Sequence, residues 1–402
     1  MSRFYDESAA ARSQRTRAVT GTPTTVDGHR LAVIGTGMMG REHLRVAHLL
    51  GRASVIGIYD ASADSVALAL EEHSHRSNLP LRVYDGPEAV FADDGIDGII
   101  ISTPNYTHAK LVAAGLDSGK ALLVEKPMAT TLEDAIDMAG KVREHPAPVQ
   151  LGMQYRFKAQ YVDLFHAVKR AGALGRVRTI SMAEYRPPFL DKVGQWNKFN
   201  EYSGGTLVEK CCHYFDLLNA MAESTPRTVY ASGGRAVNFV DFEHQGLASD
   251  IDDHAFVIID YDNGVRANFT LNMFCEELYE EMIVGGDRGR AVATERATFK
   301  RDEPSRASLQ VEVSGHPLYD GRTVGYPTHI ENSGHYGATY FAHEAFMDQL
   351  ERIQADGATA RQGLWAMIVA SAAQESLRSG TPVEIGEYLL RAGSSLAYVE
   401  SL

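Results

Sequence analysis

Gly35-Thr36-Gly37-Met38-Met39-Gly40 places glycine at the three points where a strand must turn tightly into a helix beside a phosphate. Gly35 permits the turn, Gly37 lets backbone approach a pyrophosphate, and Gly40 lets the helix pack closely on the strand. The helix start then offers free N–H groups and positive potential to phosphate oxygens. Asp60 stands twenty residues past Gly40. A carboxylate there accepts from both ribose hydroxyls and repels a 2′-phosphate. This arrangement implies a bound dinucleotide, NAD in preference to NADP. Ser62 keeps NADP open, because a hydroxyl beyond the acid tolerates a phosphate.

Two more segments fit the same crevice. Ser102-Thr103-Pro104-Asn105-Tyr106-Thr107-His108 and Val124-Glu125-Lys126-Pro127 each follow an apolar run, and each run is stopped by proline. At the carboxyl ends of parallel strands such segments face the cofactor. Thr103, Pro104, Asn105, His108, Glu125 and Lys126 are therefore expected to line it. Glu125 and Pro127, on either side of Lys126, would hold the ammonium at the cleft.

The elements that must position these groups are readable as strands and helices. Arg30-Leu31-Ala32-Val33-Ile34 is short, apolar and β-branched, like a buried parallel strand. A helix follows from Met38 to about Leu50. A second strand covers Ser54–Tyr59, then a helix Ser65–Glu72, a strand Gly98–Ser102, a helix His108–Ser118 and a strand Ala121–Val124. Such alternation implies right-handed crossovers and a doubly wound sheet. Past residue 175 the pattern becomes period two, in 176–186, 228–237, 255–261, 265–271, 281–284 and 307–313. Asp262-Asn263-Gly264 between two of these runs is a hairpin signal. Helices are expected over 339–353 and 361–378. The fold class is α/β: an N-terminal Rossmann domain with a doubly wound parallel sheet, and a C-terminal α/β domain with a mostly antiparallel open sheet. The expected divisions are 1–28 as a flexible extension, 29–150 as the dinucleotide domain, and 151–402 as the substrate and oligomerisation domain.

Composition narrows the partners. With 52 acidic against 39 basic residues the net charge is −13, which repels a phosphate backbone, and nucleic acid is excluded. Hydrophobic residues make up 44% of 402, enough for two cores. No apolar stretch approaches the ~20 residues that span a bilayer, and the start lacks a signal-peptide pattern. Cys211, Cys212 and Cys275 form no C-x-x-C pair, so a reducing, cytoplasmic setting is expected, with the vicinal cysteines packing as small apolar residues. Asp252, Asp253 and His254 read as solvated strand-edge residues, and no metal is expected. The open face of the second sheet points to a homodimer or homotetramer.

Taken in order, Gly35–Gly40, Thr103-Pro104-Asn105, His108 and Glu125-Lys126-Pro127 resemble the cofactor domain of the glucose–fructose oxidoreductase, inositol dehydrogenase and rhizopine catabolism family. Met153-Gln154-Tyr155-Arg156-Phe157 matches the opening of that family's second domain. Gly204-Gly205-Thr206-Leu207 and Glu209-Lys210-Cys211-Cys212-His213 match its helix bearing an acid and a histidine four apart. The likeness covers roughly 29–215; beyond that only the architecture agrees. The family more often has Asp where Glu209 stands, and glycine where Cys211 stands.

The resemblance implies oxidation of a secondary alcohol on a sugar or cyclitol, or reduction of the ketone, with Lys126 and His213 flanking the reacting hydroxyl and Glu209 at the acidic position. The chemistry agrees. A base must reach the hydroxyl proton as hydride leaves, and a cation must stabilise the developing alkoxide. Glu209 and His213, four apart on a helix, would share a face, so the acid can orient the imidazole or bind a neighbouring hydroxyl. Tyr155, Arg156, Tyr185, Trp196, Lys198 and His335 supply donors and flat faces suited to a sugar ring. Two alternatives keep the scaffold: redox-neutral glycoside cleavage through transient oxidation, and a non-catalytic sensor.

Overall fold

Leu31–Ile34 is buried along its whole length because it lies at the centre of a six-stranded sheet covered on both faces. The computed structural model describes residues 3–14, 28–298, 305–315, 321–353 and 356–402. Strands β1 (His29–Ile34), β2 (Ala53–Tyr59), β3 (Arg82–Val83), β4 (Gly98–Ile101), β5 (Ala121–Glu125) and β6 (Val149–Gly152) are all parallel, in the order β3-β2-β1-β4-β5-β6. This is the dinucleotide-binding order, and it puts the switch point between β1 and β4, at the glycine turn. The boundary expected at residue 150 falls inside β6.

The second sheet has nine strands. They are β7 (Val177–Tyr185), β8 (Pro226–Gly234), β11 (His254–Tyr261), β12 (Arg266–Asn272), β13 (Leu278–Gly286), β14 (Gly289–Ala297), β15 (Arg306–Val313), β16 (Arg322–Val324) and β17 (Val383–Glu384); β9 (Glu243–His244) and β10 (Leu247–Ala248) form a separate small ribbon. The order is β16-β15-β14-β13-β7-β12-β11-β8-β17, antiparallel at every junction except the parallel pair β7–β12. The expected hairpin forms between β11 and β12, with Gly264 at φ +86° where the turn needs a left-handed residue. Burial alternates along β11 and β13, so one face is covered and the other is open. Helices Cys212–Ala222 and Ala360–Ser379 pack together on the covered face. The helix Ala338–Leu350 instead returns to pack on the first Rossmann helix, Met38–Leu50. Among the described residues no helix is long and apolar enough to cross a membrane.

The extension expected to be flexible is structured over residues 3–14, while 15–27 lie outside the described residues. Ser8 caps the helix Ala9–Ser13 by accepting from Ala11 N. Tyr5 is buried and stacks on Phe165 at 4.4 Å. Ala9 N donates to Asp163 Oδ1 at 2.6 Å, and Tyr5 O meets His166 Nδ1 at 2.9 Å. An Ala- and Ser-rich start looks like solvated chain in sequence; one buried aromatic and two good polar contacts outweigh that composition. Tyr5→Ala is expected to release this segment and speed tryptic cleavage after Arg12 by at least about tenfold, for roughly 1.5 kcal/mol of lost burial. An unchanged cleavage rate would contradict the docking.

Candidate active site between the two domains

The three glycines of the turn meet three different surroundings. Gly35 is at φ +89°, and a Cβ there would lie 2.7 Å from the Ser102–Thr103 backbone. A Cβ on Gly40 would lie 2.0 Å from Gly35 O. Gly37 has nothing within 4 Å of the same point, and it starts the helix Met38–Leu50 with no side-chain cap. Two glycines are thus required by packing and the third opens onto space. A helix N-terminus left uncapped beside that space fits a pyrophosphate. Asp60 follows β2 directly; its Oδ2 accepts from Thr36 N at 2.6 Å and Oδ1 from Ser62 N at 2.8 Å. Ser62 itself caps the helix Ala63–Ser74 through Ser65 N.

The loops after β4 and β5 are stitched together by residues expected at the cofactor. His108 is buried, with Nδ1 at 2.8 Å from Pro127 O and Nε2 at 3.0 Å from Thr103 O; burial lowers its pKa. Asn105 Nδ2 donates to Ser203 O across the domains at 2.9 Å, and Thr103 shares a hydrogen bond with Thr107 at 2.6 Å. Glu125 accepts from Lys126 N at 3.1 Å and meets His43 Nε2 at 3.1 Å, while His43 Nδ1 lies 2.7 Å from His343 Nε2. Burial alone would raise the Glu125 pKa, but His43 and Lys126 hold it below the usual carboxylate range.

Between the domains lies a cavity of about 940 Å³. Met38, Met39 and Glu42 line it from the glycine-turn side, and Lys126, Tyr155, Glu209, His213 and His335 from the others. Lys126 and His213 therefore face one space. The expected continuous helix from Glu209 to His213 is interrupted: Thr206–Glu209 and Cys212–Ala222 are separate, joined through Lys210 and Cys211. The break leaves Glu209 O to accept from Lys126 Nζ at 2.8 Å. Glu209 Oε1 also stands 3.7 Å from Lys126 Nζ and 3.1 Å from Lys192 Nζ. Burial works against the charged form of both Glu209 and Lys126. Their attraction prevails, so Lys126 stays raised and Glu209 falls well below the carboxylate range.

His213 stacks flat on Tyr155, 4.0 Å between centroids and 4° between planes. Burial, and then Lys126 and Lys210, push its pKa far below 6.5, and its buried Nδ1 has no partner among the described residues. The imidazole is thus neutral and able to accept a proton. Lys210 donates to Tyr155 Oη at 2.6 Å and pairs with Glu184 at 3.1 Å, which places it inside the cleft wall rather than on the surface. Glu42 accepts from His335 at 2.8 Å and from Thr339 Oγ1. Cys211 and Cys212 are buried, and burial raises both thiols, Cys212 to about 12.

Four expected substrate contacts lie elsewhere. Arg156 makes a bidentate pair with Asp216 at 2.5 Å and faces a different cavity, because three residues per turn in Gln154–Phe157 send it away from Gln154 and Tyr155. Tyr185 alternates off the face that carries Glu184 and stands 6.3 Å from the Tyr279 ring on the other side of the sheet. Lys198 is buried against Asp191, Gln195 and the rings of Phe239 and Phe242. Trp196 does not line the cleft; its ring lies 4.3 Å below Lys192 Nζ. Asp253 accepts from the backbone of 236–238 and from His254. Lining residues not foreseen in sequence include Gln154, Lys158, Glu184, Arg186, Lys192 and Asn197. Strand alternation could have exposed Glu184 and Arg186, which share parity; the others depend on tertiary folding.

Known proteins agree with this layout. Residues 29–153 match the family model for the oxidoreductase family with NAD-binding Rossmann fold, and residues 170–385 match its C-terminal alpha/beta domain. The uncharacterized oxidoreductase YrbE of Bacillus subtilis is 24% identical over 88% of this chain and 95% of its own. Inositol 2-dehydrogenase 1 of Saccharopolyspora erythraea is 25% identical over 89% and 96%. Among solved structures, a levoglucosan dehydrogenase with NADH and levoglucosan has the same fold, with TM-score 0.73, 20% identity, and 89% and 100% of the two chains covered. A myo-inositol dehydrogenase from Lactobacillus casei with NAD(H) and myo-inositol gives 0.68, 20%, 89% and 96%. With both of its domain models matched in order around the cleft, the chain belongs to the glucose–fructose oxidoreductase, inositol dehydrogenase and rhizopine catabolism family of NAD-binding oxidoreductases.

Proposed function

We propose that this protein is an NAD-dependent dehydrogenase or reductase acting on a secondary alcohol or ketone of a sugar, glycoside or cyclitol. One observation carries the reading: a charged Lys126 and a neutral His213 face one cavity beside the glycine turn. The residues to hold the dinucleotide are Gly35–Gly40 for the pyrophosphate, Asp60 for the ribose, and the loops at Thr103–Asn105 and Glu125–Lys126. When bound, the nicotinamide accepts or donates the hydride.

His213 takes the hydroxyl proton, which its depressed pKa allows at neutral pH. Lys126 donates to the same oxygen and stabilises negative charge as it develops. Glu209 keeps Lys126 protonated and anchored, a positioning role. Buried Gln154 Oε1 and Asn197 Oδ1 have no partner among the described residues and line the cleft, so each can accept from a further hydroxyl. That donor–acceptor pattern suits a polyhydroxylated ring. On the open sheet face Ile258 sits opposite Tyr230, with Phe256 61% exposed one pair along; this supports self-association as a homodimer or homotetramer.

The test is absorbance at 340 nm with NAD and NADP across sugars, glycosides and inositols. Lys126→Met and His213→Ala are each expected to lower kcat by about 10²–10⁴-fold with melting behaviour retained; full activity in both would refute the assignment. Asp60→Ala should weaken NAD and narrow its advantage over NADP by about tenfold, the loss of a charged hydrogen bond. Unchanged selectivity would remove Asp60 from the ribose site. The pH profile follows from the signs. His213 lies below 6.5 and Lys126 above 10.5, so neither should add a limb to kcat/KM between those values. Stability moves differently: below about 6.5 the unfolded chain binds a proton that folded His213 refuses, so stability falls as pH drops. An acid limb of kcat/KM centred at or above 6.5 would contradict a buried neutral base.

A further inference from the structure

The cleft wall of the second domain is crowded with cationic side chains. Lys126, Lys158, Arg186, Lys192 and Lys210 face the cavity from this side and from the end of β5, against only Glu184 and Glu209. Three other carboxylates lie behind the wall: Glu280 and Glu295 share Lys158 at 2.7–2.8 Å, and Glu125 is held by His43. Across the cleft, Glu42 is engaged by His335, and Glu331 accepts from Tyr326 N.

Each wall carboxylate has two cations near one oxygen, and neither Glu184 oxygen has a hydrogen-bond partner among the described residues. One oxygen of Glu209 serves Lys126 and Lys192 together. One oxygen of Glu184 has Lys210 at 3.1 Å and Arg186 only at 3.7 Å. The Arg186 guanidinium makes one further bond, from Nε to Pro187 O at 3.0 Å, and packs over Phe189. Its planar fork therefore has donors left for an oxyanion. Lys192 is held between like charges, Lys126 and Arg186, and burial with that repulsion lowers its pKa despite Glu209.

We propose that Arg186 and Lys192 form a subsite for an anionic substituent, a carboxylate or phosphate, on the polyol substrate. The inference rests on the dehydrogenase reading above and names its substrate class as acidic sugars or sugar phosphates. Because Lys192 and Lys126 share one Glu209 oxygen, the substituent sits beside the reacting alcohol, on the same molecule. The anion takes up the unused donors of the Arg186 fork, and the reaction leaves it unaltered.

The probes are glucose, glucuronate and glucose 6-phosphate, offered to the NAD-saturated protein. One anionic sugar should exceed glucose in kcat/KM by at least about tenfold, the worth of one charged hydrogen-bond pair. Which of the two does so separates carboxylate from phosphate. Arg186→Met should abolish the preference, chiefly through KM, and Arg186→Lys should retain part of it. Equal kcat/KM for all three sugars would overturn the subsite and leave the dehydrogenase reading standing. If no probe changes the absorbance at 340 nm, calorimetric titration decides: anionic sugars binding tighter than glucose, with the difference lost in Arg186→Met, supports the subsite, and equal binding overturns it.

Discussion

A buried carboxylate, that of Glu209, holds two ammonium groups at a single oxygen, while the backbone carbonyl of the same residue grips the farther one, Lys126, again. Lys126 leaves the end of a Rossmann strand and Glu209 ends a short helix of the second domain, so the contact crosses the cleft. Charges this deep are stable only when paired and well bonded. The arrangement fixes the Lys126 ammonium and keeps it charged, and that charge adds to burial in lowering the His213 pKa. The helix break at Lys210 and Cys211 is part of the same constraint, because it leaves the Glu209 carbonyl to Lys126.

The aromatic shelf beneath the site depends on this charge pattern too. Tyr155 stacks on His213, receives a hydrogen bond from Lys210 and lies 4.0 Å under Lys158. Cations over an aromatic face are attracted by its quadrupole, and more strongly away from water. Tyr155 therefore separates the imidazole from two lysines while being held flat by them. The imidazole is held flat without a carboxylate of its own.

How far the sequence discloses this molecule varies with the range of the interaction. The glycine turn, Asp60 and the strand–helix alternation are local: steric demand at Gly35 and Gly40 and unbroken apolar runs are visible within a few residues. The hairpin at Gly264 is local as well. β3, β6, β14, β16 and β17 escape such reading because they are short or lack clear alternation, and β7–β12 pairing in parallel has no adjacent signal. That Lys126, Glu209 and His213 line one cavity is legible through a set of motifs in order. Its wall is not. Lys158, Lys192 and Asn197 reach the cleft only through tertiary folding, and Arg156 looks like a ligand contact until its partner Asp216, sixty residues on, is known. His108 and Asn105 hold loops in place, though their position in sequence reads as cofactor contact.

The helix Ala338–Leu350 belongs by sequence to the second domain but is fastened to the first. Arg52 pairs with Asp348 at 2.7 Å and Glu351 at 2.8 Å, Gln150 donates to Ala342 O, and His343 meets His43. These ties lie on the outer side of the Rossmann sheet from β6 to the first helix, so neither lobe can lose its core without exposing part of the other. Heat absorption on melting would consequently merge into a single peak for both lobes, and any rocking between them would pivot about that fastened helix while the opposite rim opens.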